Sequence, residues 1–353
     1  MKKFNGALAF FLAIVFVAVG AVGGYFGYVT LNPLEGQVYS NGVMQVHFME
    51  LGNDKAGDCT YIKAGETDIL IDGGSNYDSV DDISTYIDQY VTDGVLEYVI
   101  VTHADMDHIA CFAGSSSNQS LFDIYECEII IDFALTNKDT QVYNRYVEKR
   151  EAEIAAGATH YTAAQCIQDG KSVFEISKGI TMKILDQKYY YEECGDENNY
   201  SVCTLFTCGE DNLLFTGDLE KEGEESLVEM NELPKVTLFK AGHLGSPTSS
   251  NASLMSVIQP EIVCVCCCAG TDEYTDNVAN QFPSQAMIDN VAPYTDRVYI
   301  PTVVDGDGYK SLNGNITVSV SRKGVTVSCS VSDVKLKDTE WFNDYRTMPD
   351  EWK

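Results

Sequence analysis

Three apolar stretches of this sequence, each predicted to be a buried strand, end directly at side chains that can bind metal ions. The stretches and the residues that follow them are 98–101 with His103, Asp105, Asp107 and His108, 212–216 with Asp218, and 236–240 with His243. Imidazole and carboxylate groups are common ligands of divalent metals. The pattern constrains the fold, because the three groups can act together only if the ends of distant strands meet at one edge.

The two halves of the chain repeat a similar order of predicted elements, in which strands, a helix and a further strand precede a polar loop. The predicted strands are residues 44–49, 68–71, 98–101, 127–133, 181–185, 202–207, 212–216, 236–240 and 261–268, with a closing hairpin of 316–321 and 325–331. The predicted helices are residues 79–93, 139–156 and 222–230. Two sheets from similar halves, with helices outside them, predict an α/β (α+β) fold, an αββα sandwich with its loops along one edge.

The predicted domain occupies residues 43–335 and follows a short linker at residues 32–42, which contains proline and glycine. Residues 137–165 carry a charged helical pattern and are predicted to be an inserted surface helix. Residues 336–353 are an acidic, aromatic C-terminal tail to which the sequence assigns no role.

Residues 6–31 contain no charged side chain. A helix rises about 1.5 Å per residue, so this stretch is long enough to cross a hydrocarbon core of about 30 Å. Lys2 and Lys3 precede it and Glu35 is the first charge after it, which predicts a cytoplasmic N-terminus. We therefore expect a single-pass protein of the cell membrane with an extracellular catalytic domain. A cleaved signal peptide, which would give a secreted protein, is the alternative.

The chain is strongly acidic, with 23 Lys and Arg against 53 Asp and Glu and a net charge of -30. This charge repels nucleic acid and anionic lipid, so a basic binding surface is excluded and nucleic acid is a possible ligand only as a substrate. Bound cations can reverse the field inside one pocket. The predicted partners are a small-molecule or phosphodiester substrate and, through the N-terminal helix, the membrane. The sequence indicates no partner protein.

The twelve cysteines do not form the framework of a small disulfide-rich domain. Their pairing is not assigned from the sequence. Cys264, Cys266, Cys267 and Cys268 lie in an apolar run, where packing in a buried strand is favoured over metal binding.

The candidate metal ligands come from three loops. They are His103, Asp105, Asp107, His108, Asp218 and His243. The densest group, His103 to His108, has an alternative interpretation in which Asp105 and Asp107 cap a helix and the histidines form hydrogen bonds nearby.

The order of these motifs resembles that of the metallo-β-lactamase superfamily, whose second motif is H-x-[HD]-x-D-H. More narrowly, it resembles the extracytoplasmic metallo-β-lactamase-like domain of ComEC-type DNA-uptake competence proteins. The matching segments are Gly57-Asp58, Leu70-Ile71-Asp72-Gly73-Gly74, Thr102 to His108, Leu213 to Asp218 and Lys240 to Ser246. The resemblance covers about residues 43 to 330 and implies the same sandwich fold.

The resemblance also implies two divalent metal ions, Zn or Mn. Asp107, His108 and His243 would hold one ion, His103 and Asp105 the other, and Asp218 would bridge them; Asp72 would orient the ligands. The superfamily usually adds another histidine, but His160, the histidine at that point of the chain, lies in the predicted insert. Asn199 or its neighbour Asn198 would replace it, which gives an oxygen-rich site and favours Mn.

The implied activity is phosphodiester hydrolysis of a phosphodiesterase or nuclease type through a metal-bridged hydroxide, with Asp107 and His108 as catalytic residues. Asn199, Ser246 and Lys240 are possible substrate contacts or extra ligands, and Ser246 could instead cap a following helix. Three departures fall in substrate-facing segments. They are Leu244 in place of a second histidine, Gln281-Phe282-Pro283 in place of G-H-P, and extra residues in Gly52 to Gly57 relative to V-G-Q-G-D. Hydrolysis of a lactam, lactone or thioester at the same centre, and a non-catalytic surface binding module with a reduced metal site, are the alternatives.

Overall fold

The apolar stretches of the sequence form two large mixed sheets in the computed structural model, which describes residues 44–353. The predicted membrane helix at residues 6–31 and the linker at 32–42 lie outside the described residues. Within the described part, no helix combines the length and the apolar character that a membrane span requires.

The first sheet has eight strands in the order β18-β17-β1-β2-β3-β4-β5-β6. These are β1 (Met44–Phe48), β2 (Thr60–Ala64), β3 (Thr67–Ile71), β4 (Val95–Ile100), β5 (Glu126–Asp132), β6 (Thr159–Thr162), β17 (Ile316–Ser321) and β18 (Gly324–Cys329). Strands β3 to β6 are parallel, and the others are antiparallel to their neighbours. The predicted closing hairpin is β17–β18, which turns at Arg322 and Lys323.

The second sheet has seven strands in the order β14-β12-β11-β10-β9-β8-β7, and a third, small sheet has the order β13-β15-β16. The strands are β7 (Val173–Ser177), β8 (Ile180–Ile184), β9 (Thr204–Cys208), β10 (Asp211–Phe215), β11 (Leu238–Lys240), β12 (Ile262–Cys264), β13 (Cys268–Ala269), β14 (Val298–Tyr299), β15 (Thr302–Asp305) and β16 (Gly308–Ser311). Strands β10, β11, β12 and β14 are parallel. Residues 261–268, predicted as one strand, are two strands, because the chain passes from the second sheet to the third between them.

Helices follow strands in both halves of the chain. They are α1 (Ser79–Ile87), α2 (Met106–Ala113), α3 (Leu121–Ile124), α4 (Gln141–Ala156), α5 (Ala163–Gln168), α6 (Lys221–Met230), α7 (Ala252–Ile258), α8 (Gln285–Val291) and α9 (Glu340–Tyr345). Short 3-10 turns occupy Lys188–Tyr190, Glu197–Tyr200, Gly242–Gly245, Leu336–Asp338 and Asp350–Trp352.

The two large sheets contact each other through an apolar core, in which the ring of Phe48 on β1 stacks on that of Phe215 on β10 at 6.5 Å. The strands at the centre of the sheets are buried along nearly their whole length, whereas β17 alternates buried and half-buried residues, as a strand with one solvated face does. This mixed, sheet-rich architecture is consistent with the predicted αββα sandwich.

Residues 137–165 contain more than the predicted surface helix. Helix α4 begins at the side chain of Thr140, which accepts a hydrogen bond from the Tyr143 amide, and ends at Gly157. The chain then forms β6, which pairs with β5 and completes the edge of the first sheet. Together with β5, the segment therefore forms a strand-helix-strand crossover of the sheet.

The C-terminal residues 336–353 belong to the same compact unit as the sheets. The side chains of Trp341, Phe342 and Trp352 in this segment are buried. Arg346 donates hydrogen bonds to the backbone carbonyls of residues 278, 281 and 283. The segment thus packs on the domain and holds a distant loop. Among the described residues there is no disulfide.

Candidate metal centre

The parallel strands of the two large sheets deliver the predicted ligands to one edge. Asp72 follows β3, and His103 comes soon after the end of β4 in the first sheet. Asp218 and His243 follow β10 and β11 in the second sheet. Carboxyl ends of parallel strands lie at the same edge of a sheet, so the topology explains why loops far apart in sequence meet here.

Three predicted ligands form the inner part of the site. His103, His108 and Asp218 each offer one ligand atom, and these atoms lie within 4.8 Å of one another. Nε2 of His108 is 3.1 Å from Oδ2 of Asp218, and the two imidazole rings have centroids 4.2 Å apart. All three side chains are buried. Imidazole groups from the first sheet and a carboxylate from the second thus meet in one buried cluster.

The donor set fits a divalent cation. Nε2 of His103 and Oδ1 of Asp218 are buried and have no hydrogen-bond partner among the described residues. A buried polar atom without a partner costs about 1–3 kcal/mol, so such atoms are rare in folded proteins. A cation between the two atoms would satisfy both. The residues present therefore match the chemistry of a metal site.

Asp72 orients His108. The aspartate has φ +60°, a backbone conformation that non-glycine residues rarely adopt. Its Oδ2 is 2.8 Å from Nδ1 of His108, and its two oxygens also accept hydrogen bonds from the amide and hydroxyl of Thr102, each at 2.8 Å. Nε2 of His108 is left facing Asp218. This is the carboxylate-histidine arrangement that orients metal ligands in other proteins.

His243 reaches the site from a strained turn. Its φ is +47° and that of Leu244 is +55°. Nε2 of His243 lies 3.9 Å from Oδ2 of Asp218, while Nδ1 lies 3.1 Å from Oγ1 of Thr248 and 3.5 Å from Oε1 of Glu220. The turn thus points one ring nitrogen at the Asp218 carboxylate and fixes the other through side chains of the same region.

Asp105 and Asp107 lie at the outer side of the histidines. Oδ2 of Asp105 is 3.5 Å from Nε2 of His103, and the same carboxylate pairs with Lys138. Oδ2 of Asp107 is 3.9 Å from Nε2 of His108. Asp105 precedes α2, but its side chain makes no capping hydrogen bond. The interpretation of Asp105 as a side-chain helix cap is therefore wrong, and the ligand roles of Asp105 and Asp107 stay predictions.

The charged side chains at the centre shift one another's pKa values. Burial lowers the pKa of His108, but the carboxylates of Asp218 and Asp72 outweigh it and hold that pKa well above its usual value. Burial raises the pKa of Asp218, yet His108 and His243 hold it well below the usual range. Burial likewise lowers the pKa of His243, but Asp218 and Glu220 outweigh it, so the pKa lies above its usual value. The carboxylates thus create a field that favours positive charge at this position.

The three possible substrate contacts have partners within the protein. Lys240 is buried and forms an ion pair with Asp58. Oδ1 of Asn199 accepts a hydrogen bond of 3.2 Å from the Glu220 amide. Oγ of Ser246 is 2.9 Å from Oγ1 of Thr248. Ser246 does not cap the following helix, since Asn251 holds the N-cap position of α7.

His160 lies away from the predicted ligands. It is on β6, and its Nε2 is 2.8 Å from Oδ1 of Asp132. The other oxygen of that buried carboxylate accepts hydrogen bonds from Tyr146 and Arg150. The Asp132 carboxylate thus has three side-chain partners, and His160 belongs to this buried hydrogen-bond network, which stabilises the fold.

Two further carboxylates, those of Asp58 and Glu197, contact the loops that carry the predicted ligands. Asp58 lies beside Asp72 and His108, with ligand atoms within 4.8 Å of theirs. Glu197 accepts hydrogen bonds from the Ala104 amide at 3.2 Å and from Thr136 at 2.8 Å, and so joins the loop after β4 to the loop after β5. Asp58 could be found through its position in the Gly57-Asp58 match; Glu197 has no such signal.

Gly217 shows why the Gly-Asp motif requires glycine. Its φ is +55°, and a Cβ at this position would approach Oγ of Ser201 and Cβ of Thr102 to 2.8 Å each. Any side chain would push the second-sheet loop away from the first-sheet loop. The glycine therefore permits the close approach that brings Asp218 to the histidines.

Comparisons with known proteins agree with these motifs. Residues 52–116, which include Asp72 and the run from His103 to His108, match the protein-family model described as Metallo-beta-lactamase superfamily. The chain is 24% identical over 171 residues to ComE operon protein 3 of Bacillus subtilis (strain 168), an alignment that covers 47% of this chain and 19% of that protein. The chain thus spans about a fifth of the length of this relative.

Two solved structures are similar to the chain at low sequence identity. The metallo-beta-lactamase fold protein YhfI from Bacillus subtilis is 11% identical, with a TM-score of 0.40 over 74% of this chain and 97% of that one. CmlA, a diiron beta-hydroxylase from Streptomyces venezuelae, is also 11% identical, with a TM-score of 0.34 over 72% of this chain and 44% of that one.

Proposed function

We propose that this chain, which contains a metallo-β-lactamase domain, uses its centre to hydrolyse a phosphodiester. Members of this superfamily are typically metal-dependent hydrolases. The observation that carries the proposal is the convergence of His103, His108 and Asp218, with two buried ligand atoms that lack a partner among the described residues.

Each predicted ligand has a role in this proposal. His103 and Asp105 would hold one ion, Asp107, His108 and His243 a second, and Asp218 would stand between them. When bound, the ions supply Lewis acidity, which lowers the pKa of water and offsets negative charge on a substrate oxygen. Asp72 keeps Nδ1 of His108 engaged, so that Nε2 faces Asp218 and would be available to an ion. Zn and Mn are both candidates for the bound ions.

A phosphodiester is favoured as the substrate because a two-ion site suits in-line displacement at phosphorus. The resemblance of the motifs to ComEC-type proteins supports the same class. The surroundings favour a small substrate over a long polyanion, since the chain has a net charge of -30 and the exposed Asp272 and Asp276 lie on the loop whose Tyr274 contacts Asp107.

Those acidic residues also support a second candidate. A lactam, lactone or thioester is uncharged at the reacting group, and Asp272 and Asp276 would not repel it. The same centre could then direct hydrolysis of an acyl bond. A panel of acyl substrates tested beside a phosphodiester separates the two proposals.

The test of the proposal uses the full-length chain, stripped of metal and reloaded with Zn²⁺ or Mn²⁺. We expect hydrolysis of bis-p-nitrophenyl phosphate that depends on the added ion and is abolished in Asp107→Ala. Asp139→Asn is the matched control, because Asp139 is exposed and outside the site. Loss of activity in the control would remove the link to the centre.

Three other outcomes would redirect the proposal. Turnover of an acyl substrate without phosphodiester cleavage would favour the second candidate. One tightly held ion and no turnover of any substrate would favour a binding module. Absence of metal binding would contradict both hydrolase proposals.

The proposed location is the outer face of a membrane, with residues 6–31 as the anchor. The charge-free length of this stretch and the lysines before it support the proposal. We expect the full chain in the membrane fraction and its domain to be cleaved by protease added to intact cells. Recovery of the full chain in the soluble cell fraction would contradict the anchor, and recovery from the medium would indicate a cleaved signal peptide.

A further inference from the structure

A tyrosine that the motif comparison does not include reaches the candidate metal centre. Tyr274 lies on the loop between β13 and α8, and its hydroxyl donates a hydrogen bond of 3.1 Å to Oδ2 of Asp107. The residue is 56% exposed. Its hydroxyl therefore contacts a proposed ligand, while more than half of the residue is exposed to solvent.

The loop that carries Tyr274 contacts both the loop of Asp107 and the loop of His243. The ring of Tyr274 packs on Phe282 at 5.8 Å, and Phe282 packs on the imidazole of His243 at 6.0 Å. Arg346 binds three carbonyls of this loop, and the Ser284 amide donates a hydrogen bond of 2.8 Å to Gly245. The phenol is thus held between two ligand-bearing loops.

The other polar groups near His243 are engaged. Leu244 is buried and apolar, at the position where the resemblance would place an imidazole that meets substrate. The hydroxyls of Ser246 and Thr248 lie 2.9 Å apart, and Lys240 is paired with Asp58. Tyr274 combines a hydroxyl donor, an exposed side chain and contact with Asp107.

We propose that Tyr274 supplies the hydrogen bond to a substrate oxygen that the missing imidazole would otherwise make. The inference rests on the proposed function, because it assigns a residue that recognises a phosphate oxygen beside Asp107. The phenol hydrogen rotates about the C–O bond, so the hydroxyl can turn from Asp107 to a neighbouring substrate oxygen while the ring stays on Phe282. No bond is made or broken at the tyrosine.

The test measures the binding of inorganic phosphate to the metal-loaded full-length chain by calorimetry. We expect Tyr274→Phe to weaken phosphate binding about tenfold, as loss of one hydrogen bond to a charged group does. Tyr191→Phe is the matched control, since Tyr191 is 42% exposed and its hydroxyl donates to Asp186 at 2.9 Å, away from the centre. Equal phosphate affinity in the wild type and in Tyr274→Phe would overturn the proposal.

A second measurement separates substrate contact from support of Asp107. If Tyr274 contacts substrate, Tyr274→Phe keeps the wild-type metal affinity within about twofold while phosphate binding falls. A parallel loss of metal affinity would mean that the tyrosine acts only through Asp107, and would also overturn the proposal.

The activity assay then distinguishes this inference from the proposed function. If the wild type hydrolyses bis-p-nitrophenyl phosphate, we expect kcat/KM to fall about tenfold in Tyr274→Phe. Unchanged kcat/KM in the variant would reject the tyrosine while the proposed function stands. If the wild type shows no turnover, the proposed function fails, and the phosphate measurement still decides the role of Tyr274.

Discussion

Replacing Lys240 by methionine tests whether this lysine is a structural counter-ion. Its side chain is 2% exposed and that of its partner Asp58 is 1% exposed. Nζ of Lys240 also lies 3.9 Å from Oδ1 of Asp218. Lys240→Met keeps most of the side-chain volume but leaves a buried carboxylate without its cation.

The expected loss is about 3–5 kcal/mol in the free energy of unfolding, which is typical when one partner of a buried ion pair is removed. Burial raises the pKa of Asp58 and Lys240 lowers it, so the variant has a still higher Asp58 pKa. A carboxyl with a raised pKa binds more protons in the folded than in the unfolded state, and stability then falls as pH rises. We therefore expect a larger loss at pH 8 than at pH 5.

Urea unfolding of the metal-free full-length chain, followed by circular dichroism at both pH values, measures this loss. Asp58→Asn and the double variant Asp58→Asn/Lys240→Met complete the cycle. The double variant should recover part of the loss, because no charge remains unpaired. A loss below about 1 kcal/mol in Lys240→Met at pH 8 would refute a structural ion pair, since that is the size typical of an exposed pair.

Three further variants test how the site is supported. Asp72→Asn should lower metal affinity about 10- to 100-fold in competition with a chelator, since the carboxylate that orients His108 is lost; unchanged affinity would contradict this role. Burial raises the pKa of Glu224 from 4.5 to about 7, so this residue should contribute a loss of stability as the pH rises from 4.5 to 7. Glu224→Gln should remove that contribution in urea unfolding, and the same pH dependence in the variant and the wild type would count against it. Arg346→Lys cannot bond all three carbonyls in one plane, so hydrogen exchange at residues 278–283 should rise about tenfold, and unchanged protection would argue that the arginine does not hold the loop.

The sequence predicts the ligand-bearing loops well because the information is local. An apolar run followed by Asp or His marks both the strand and the residue at its carboxyl end, as at His103 and Asp218. Parallel pairing then gathers those ends at one edge. The sequence therefore predicts that His103, His108 and Asp218 lie at one edge of the sheets together with Asp72.

The sequence does not predict long-range partners. Lys240 and Asp58 are 182 positions apart, and no periodicity links them. The resemblance makes Asn199 a possible ligand, but its Oδ1 accepts a hydrogen bond from the Glu220 amide. Tyr274 has no motif at all, because its position depends on the packing of an irregular loop on Phe282.

The hydrophobic pattern of the sequence also does not predict the edge strand β6 or the short C-terminal helices. The β6 sequence Thr159-His160-Tyr161-Thr162 is polar and partly exposed, so nothing in its hydrophobicity separates a strand from a loop. In residues 336–353 the aromatic side chains are too few to show a helical period. Their burial results from contact with a surface formed by the rest of the chain.

The metal content of the purified full-length chain tests the central claim most directly. Elemental analysis should give two divalent ions for each wild-type chain and for Asp139→Asn. Asp218→Ala should lose ions from both positions, because we propose that its carboxylate lies between them. A wild-type chain without bound metal, or an Asp218→Ala chain with the wild-type content, would contradict the account.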